Sequence, residues 1–250
     1  MIPQPLRDSF IRRYVPNRTV VNKAFQESLR ARPELQGLFD PGYVLTSTVV
    51  FVDICGSAFK TSVMRPKEVK EYLDTYYRIV IPEIYERGGE IDQMIGDGII
   101  AVFGPPFMGY NAQATQAGLN ACVDFTRAVI RKLAYSPLAV KCAVRQGELC
   151  FTIVGDVHYQ QLTMVGNTLA ELHRLEGVSD DHAVNVYPGT PEHSRLVGDP
   201  SLSPRRPGAT GPYWTPRTKK VGDLKGVHFK EVYLEEYIDP TKVARPRWAS

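Results

Sequence analysis

Two aspartates stand at the mouths of apolar runs within the stretch from Thr48 to Gly104. Asp53 closes a segment of β-branched residues, Leu45 to Asp53, and Asp97 lies in the turn Ile95-Gly96-Asp97-Gly98. Acids in such places can hold divalent cations against a phosphate chain, because magnesium takes a few carboxylates and completes its octahedron with phosphate oxygens and water. Each acid has a plainer reading alone: a hairpin turn residue for Asp97, a loop or cap acid for Asp53. Two together make this the stretch in which chemistry is expected.

The elements that must position the pair follow from patterning. Leu45–Asp53 reads as a central strand ending in a glycine-containing turn. Pro66 opens a helix at its first-turn position, and Val69, Tyr72, Leu73, Tyr76, Tyr77, Val80 and Ile84 recur at helical spacing until Gly88-Gly89. A hairpin follows from Glu90 to Gly104, its turn marked by the Asp-Gly dipeptide. Next come a helix over Ala112–Leu133, a strand over Leu138–Val144, an apolar stretch over Leu149–Val154 beyond Gly147, and a further run from Gln160 to Val165. Gly166-Asn167 introduces a short helix to about Leu175, followed by a strand at Ala183–Val186 and a last strand from His228 to Tyr237. This order predicts an α+β fold of the ferredoxin-like βαββαβ type, with a central, mostly antiparallel sheet and flanking helices.

Around that domain, placed at 45–238, residues 1–44 form an N-terminal extension with one helix from Arg18 to Arg32. The extension is expected to pack on the domain or on a dimer partner. Residues 198–218 are rich in Pro, Gly, Arg and Ser and predict a surface loop, and 239–250 form a tail. With 250 residues, 43% of them apolar, one sizeable core is expected. A net charge of +3 demands neither a nucleic-acid nor a membrane partner. The four cysteines, Cys55, Cys122, Cys142 and Cys150, show no CxxC spacing and read as reduced thiols. The first residues lack the apolar core of a signal peptide, and no run approaches the ~18 apolar residues of a membrane span. A soluble, cytoplasmic protein is expected.

Five segments, in this order, resemble the class III nucleotidyl cyclases: FVDICGS with Asp53, GGEIDQMIGDGIIAVFG with Asp97, AVRQGELCFTIVG, MVGNTLAELHRLE, and LKGV around Lys225. The resemblance runs from about Thr46 to Tyr237. It implies a homodimer with composite active sites at the subunit interface. Asp53, Asp97 and the carbonyl of Ile54 would bind two divalent cations, Mg2+ or Mn2+, in the two-metal arrangement for in-line displacement at phosphorus. The turn bearing Gly56 and Ser57 would offer backbone N–H groups to the phosphates. Arg174 of the other subunit resembles the family's transition-state arginine, and Lys225 the lysine that neutralises the triphosphate.

Base selection is where the sequence departs from familiar members. Adenine readers of the family place a lysine before the second metal aspartate and an aspartate ahead of the Gly-Asn turn; guanine readers place glutamate and a small residue. Here those positions hold Gln93 and Thr163, neutral groups that both donate and accept. Ala170 stands where many members carry a ribose-orienting asparagine, leaving Asn167, Glu171 and His173 as nearby candidates for the sugar. Together these features are similar to the pyrimidine cyclases of bacterial Pycsar anti-phage systems, which make cyclic UMP or cyclic CMP for a dedicated effector. UTP is the favoured substrate, with CTP next. An adenylate cyclase with atypical base contacts and a catalytically silent cyclase-like module are the alternatives.

Overall fold

The computed structural model describes residues 42–156, 159–198, 211–240 and 242. The helix expected over Arg18–Arg32 lies outside them, as does much of the 198–218 loop and of the 239–250 tail. By contact the chain divides into a larger unit, Thr46–Gly147 with Thr168–Ser250, and a smaller one, Met1–Leu45 with Glu148–Asn167.

The larger unit is built on a sheet. Strand β1 (Tyr43–Ile54) is buried without interruption from Ser47 to Val52. A five-residue helix α1 (Ser57–Thr61) leads to α2 (Pro66–Glu86), which opens with proline in its first turn and a capping box between Arg65 and Glu68. The hairpin β2 (Glu90–Ile95) and β3 (Gly98–Phe103) follows. Then comes α3 (Ala112–Leu133), capped by the Asn111 side chain accepting from the Ala114 N–H at 2.9 Å. Strand β4 (Val140–Asp156) and β5 (Tyr159–Val165) precede α4 (Asn167–Glu176), β6 (Ala183–Val186), α5 (Pro191–Val197), β7 (Tyr213–Lys220) and β8 (Glu231–Ile238).

The strand order is β2-β3-β1-β4-β6-β8-β7, and its first four members are the expected ferredoxin-like unit. Pairing is antiparallel for β1–β3, β2–β3, β6–β8 and β7–β8, and parallel for β4–β6. The helices cover the sheet through Tyr76, Val80 and Ile84 of α2 and Cys122, Phe125 and Val129 of α3, all fully buried. Burial of one such large apolar side chain stabilises the fold by roughly 1.5–3 kcal/mol. Where α3 crosses the end of β3, a Cβ at Gly118 would fall 2.4 Å from the Gly104 Cα, so only glycine permits the approach. In the smaller unit β4 and β5 pair antiparallel, with Phe151 opposite Met164 and Thr152 opposite Thr163.

Four local expectations are corrected. The two expected strands, Leu138–Val144 and Leu149–Val154, form one strand, β4, which starts at Val140 and runs through Gly147; glycine is there because a Cβ would meet the Thr168 hydroxyl at 2.5 Å. Residues 213–218, assigned to the loop, start β7. This strand ends the sheet order, and such an edge tolerates Pro216. Helices α1 and α5 were not anticipated. The hairpin turn does not use Asp-Gly as its central pair: Ile95 pairs with Gly98, so the loop is Gly96-Asp97, with Gly96 at φ 60°. Gly98 is instead required for packing, since a Cβ would lie 2.5 Å from the Phe51 ring.

Candidate active site

β1 and β3 are neighbours with Val52 opposite Ile99, and this register carries the end of β1 to the hairpin loop. The Ile54 N–H donates to Asp97 Oδ2 at 3.3 Å, so the two predicted acids stand side by side. The loop is also fixed from α2, where the Tyr77 hydroxyl donates to the Gly96 carbonyl. Burial, then the charge of Asp97 and a hydrogen bond between the two carboxyls, raise Asp53 from an ordinary 3.8 to about 7, against the opposing pull of Lys141. Half-buried carboxylates pressed together in this way fit a divalent cation, whose charge removes the repulsion and whose hardness suits oxygen donors. Among the described residues no group of three or more His, Cys, Asp or Glu forms a metal cluster. The structure brings together the two acids that the sequence resemblance names as donors with the Ile54 carbonyl, and the remainder of a coordination sphere would fall to phosphate and water.

Gly56 follows in the left-handed region at φ 64° and caps α1, and Ser57 is that helix's first residue. Lys60 fastens this turn by donating to the Cys55 carbonyl at 2.6 Å and to Pro137 at 2.8 Å. Burial pushes the Cys55 thiol up to about 12, which leaves it protonated and inert. A second grouping forms on α4. The Arg174 Nε donates to the carbonyl of Lys225 at 3.2 Å, and both side chains are exposed. Lys225 stands in a turn closed by Val227 N–H to Leu224 O at 3.0 Å, with Gly226 at φ 78°. The two cationic groups assigned to the triphosphate thus share one surface.

No protein-family model matches the chain. The adenylate cyclase of Anabaena cylindrica is 26% identical over 149 residues, which is 56% of this chain and 28% of that protein. The catalytic core of a rhodopsin-guanylyl cyclase with converted specificity, in complex with ATPalphaS, superposes with a TM-score of 0.60 over 78% of this chain and 97% of its own, at 16% identity. The adenylyl cyclase CyaB from P. aeruginosa gives 0.59 over 79% of this chain and 96% of its own, at 19% identity. The fold is that of the class III nucleotidyl cyclase catalytic domains. This chain spans 28% or less of the length of the curated relatives it matches.

Within this cyclase fold, Gln93 is half-buried on β2 of the larger unit, opposite Ile100 and next to a register shift. Thr163 is buried on β5 of the smaller unit. Asn167 opens α4 and is exposed, as is Ala170. Glu171 is removed from the candidates for the sugar. It is buried and accepts from Arg145 Nε at 2.7 Å, and Arg145 also reaches Glu192 at 3.2 Å. His173 sets its ring edge-on against Phe51 at 5.5 Å.

Two site residues escaped the sequence. Lys141 of β4 lies 3.6 Å from Asp53 Oδ2 and 2.8 Å from Glu176 Oε1, beside the acidic pair. A lysine in a strand and a glutamate ending a helix carry no signal until β4 is placed beside β1. Among the described residues no helix is long and apolar enough to cross a membrane.

Proposed function

We propose that this chain is a metal-dependent nucleotidyl cyclase, a phosphorus-oxygen lyase that converts UTP, or CTP, to its 3′,5′-cyclic monophosphate and pyrophosphate. The observation that carries the reading is the Asp53–Asp97 pair, held together at the β1 end on the fold of the adenylyl and guanylyl cyclase domains. In the reaction the ribose 3′-oxygen forms a bond to the α-phosphorus as its hydroxyl proton passes to water, the bond from that phosphorus to the bridging oxygen breaks, and pyrophosphate leaves. Two divalent cations, Mg2+ or Mn2+, would supply Lewis-acid activation of the hydroxyl and charge neutralisation of the triphosphate. Asp53, Asp97 and the Ile54 carbonyl would hold them. Backbone N–H groups at Gly56 and Ser57 bind phosphate oxygens. Arg174 of the partner subunit meets the charge that develops on the α-phosphate and the leaving group, Lys225 neutralises the triphosphate, and Asn167 serves the substrate at the start of α4.

Pyrimidine selection is supported by Gln93 and Thr163, which lack the charge pattern of purine readers. The resemblance to Pycsar cyclases supports a role as second-messenger synthase in anti-phage defence, with an effector that reads the product. Within the enzyme class, adenylate cyclase activity with atypical base contacts is the alternative, favoured by the Anabaena relative. A silent nucleotide-binding module draws on Ala170 and on the locked Glu171, which leave the ribose without the usual amide.

Pyrophosphate release in Mn2+ separates these classes. Asp53→Ala and Asp97→Ala should each lower it at least about a hundredfold, since several kcal/mol of charge stabilisation are lost, with the far-UV circular dichroism unchanged. Retained release in either folded variant removes the two-acid assignment.

A further inference from the structure

The half-buried ammonium of Lys141 is shared unequally between two carboxylates. It is in direct hydrogen-bond range of Glu176 Oε1, at 2.8 Å, and in looser ionic contact with Asp53 Oδ2, at 3.6 Å, with about a fifth of each side chain exposed. Its neighbours on β4, Val140 and Cys142, point into the core. A lysine so enclosed must keep its ammonium paired. Asp53 and Asp97 repel one another, and Lys141 supplies a positive charge at that point. A divalent cation between the acids repels the ammonium in turn, and Glu176 is the acceptor to which it can withdraw.

We propose that Lys141 is a positioning residue that competes with the divalent cation for Asp53 and withdraws to Glu176 when the cation binds. The inference rests on the acid-pair reading above. Glu176 ends α4, three residues beyond His173 and two beyond Arg174, and the i, i+3 spacing puts His173, against Phe51, on the same face as Glu176.

The test is Mn2+ binding to the full chain by calorimetry, together with melting of the metal-free protein, for wild type, Asp53→Ala, Lys141→Met, Lys141→Arg and Glu176→Gln. Lys141→Met should bind Mn2+ about tenfold more tightly, because a competing charge within a few ångströms is gone, and its metal-free form should melt lower. Glu176→Gln should bind it severalfold more weakly, since Lys141 then rests on Asp53 alone. Lys141→Arg keeps the charge and should stay near wild type. Opposite signs from the two halves of one ion pair support the proposal, whereas both variants weakening binding together marks a merely structural bridge and overturns it. If Lys141→Met fails to fold, Lys141→Gln carries the same comparison. Wild-type protein with no Asp53-dependent Mn2+ binding overturns this inference and the cyclase reading together; intact wild-type binding with same-signed variants overturns this inference alone.

Discussion

Between about pH 4 and 7 Asp53 holds a proton in the metal-free folded chain that it would release in the unfolded one. Its carboxyl is raised from 3.8 to about 7, so between those values the native state binds more protons. The group's stabilising contribution is complete below about pH 4 and is lost as pH rises through about 7. The metal-free protein should therefore lose melting temperature across that window, and Asp97→Asn, which removes the neighbouring charge, should flatten the slope. Melts in chelator from pH 5 to 8 check this, and an unchanged slope in Asp97→Asn contradicts the coupling. Asp53 and Asp97 were legible in the sequence because an acid ending a β-branched run and an acid in a glycine turn are local signals. Lys141, Glu176 and the Arg145–Glu171–Glu192 cluster were not. Each depends on a contact between residues distant in sequence, brought together only by the order of strands and the docking of α4 and α5.

At the scale of elements, long periodic segments were readable: α2 begins at Pro66, where proline predicts a first turn, and α3 spans the expected Ala112–Leu133. Short or edge elements were not. β7 contains Pro216 and follows a Pro- and Arg-rich stretch in the sequence, and α5 has seven residues, too few for periodicity to register. Glycine was the most misleading residue, because the same letter marks a turn at Gly96, a close approach at Gly147 and a packing gap at Gly98 and Gly118. The last makes a prediction. Gly118→Ala places a Cβ against backbone at Gly104 that cannot yield, and overpacking of this kind costs roughly 1–3 kcal/mol. Denaturant unfolding should show a lower midpoint with unchanged m-value. A midpoint equal to wild type would mean that α3 does not press on the β3 end as described.

For the whole molecule, the proposed function draws on two groupings of side chains. In the proposed reaction Asp53, Asp97 and the Gly56 turn would face cations and phosphates; Arg174 and Lys225 are both exposed and joined by a hydrogen bond through the Lys225 carbonyl. Such a division is what a composite site between two copies needs, each copy lending its cationic face to the other's acids. It also concentrates the account into one chemical outcome. The purified protein is incubated with Mn2+ and ATP, GTP, CTP or UTP in separate reactions, and products are identified by mass spectrometry. Cyclic UMP, or cyclic CMP, with equimolar pyrophosphate is the predicted result; cyclic AMP or cyclic GMP contradicts base selection through Gln93 and Thr163, and no cyclic product from any of the four contradicts the cyclase reading itself.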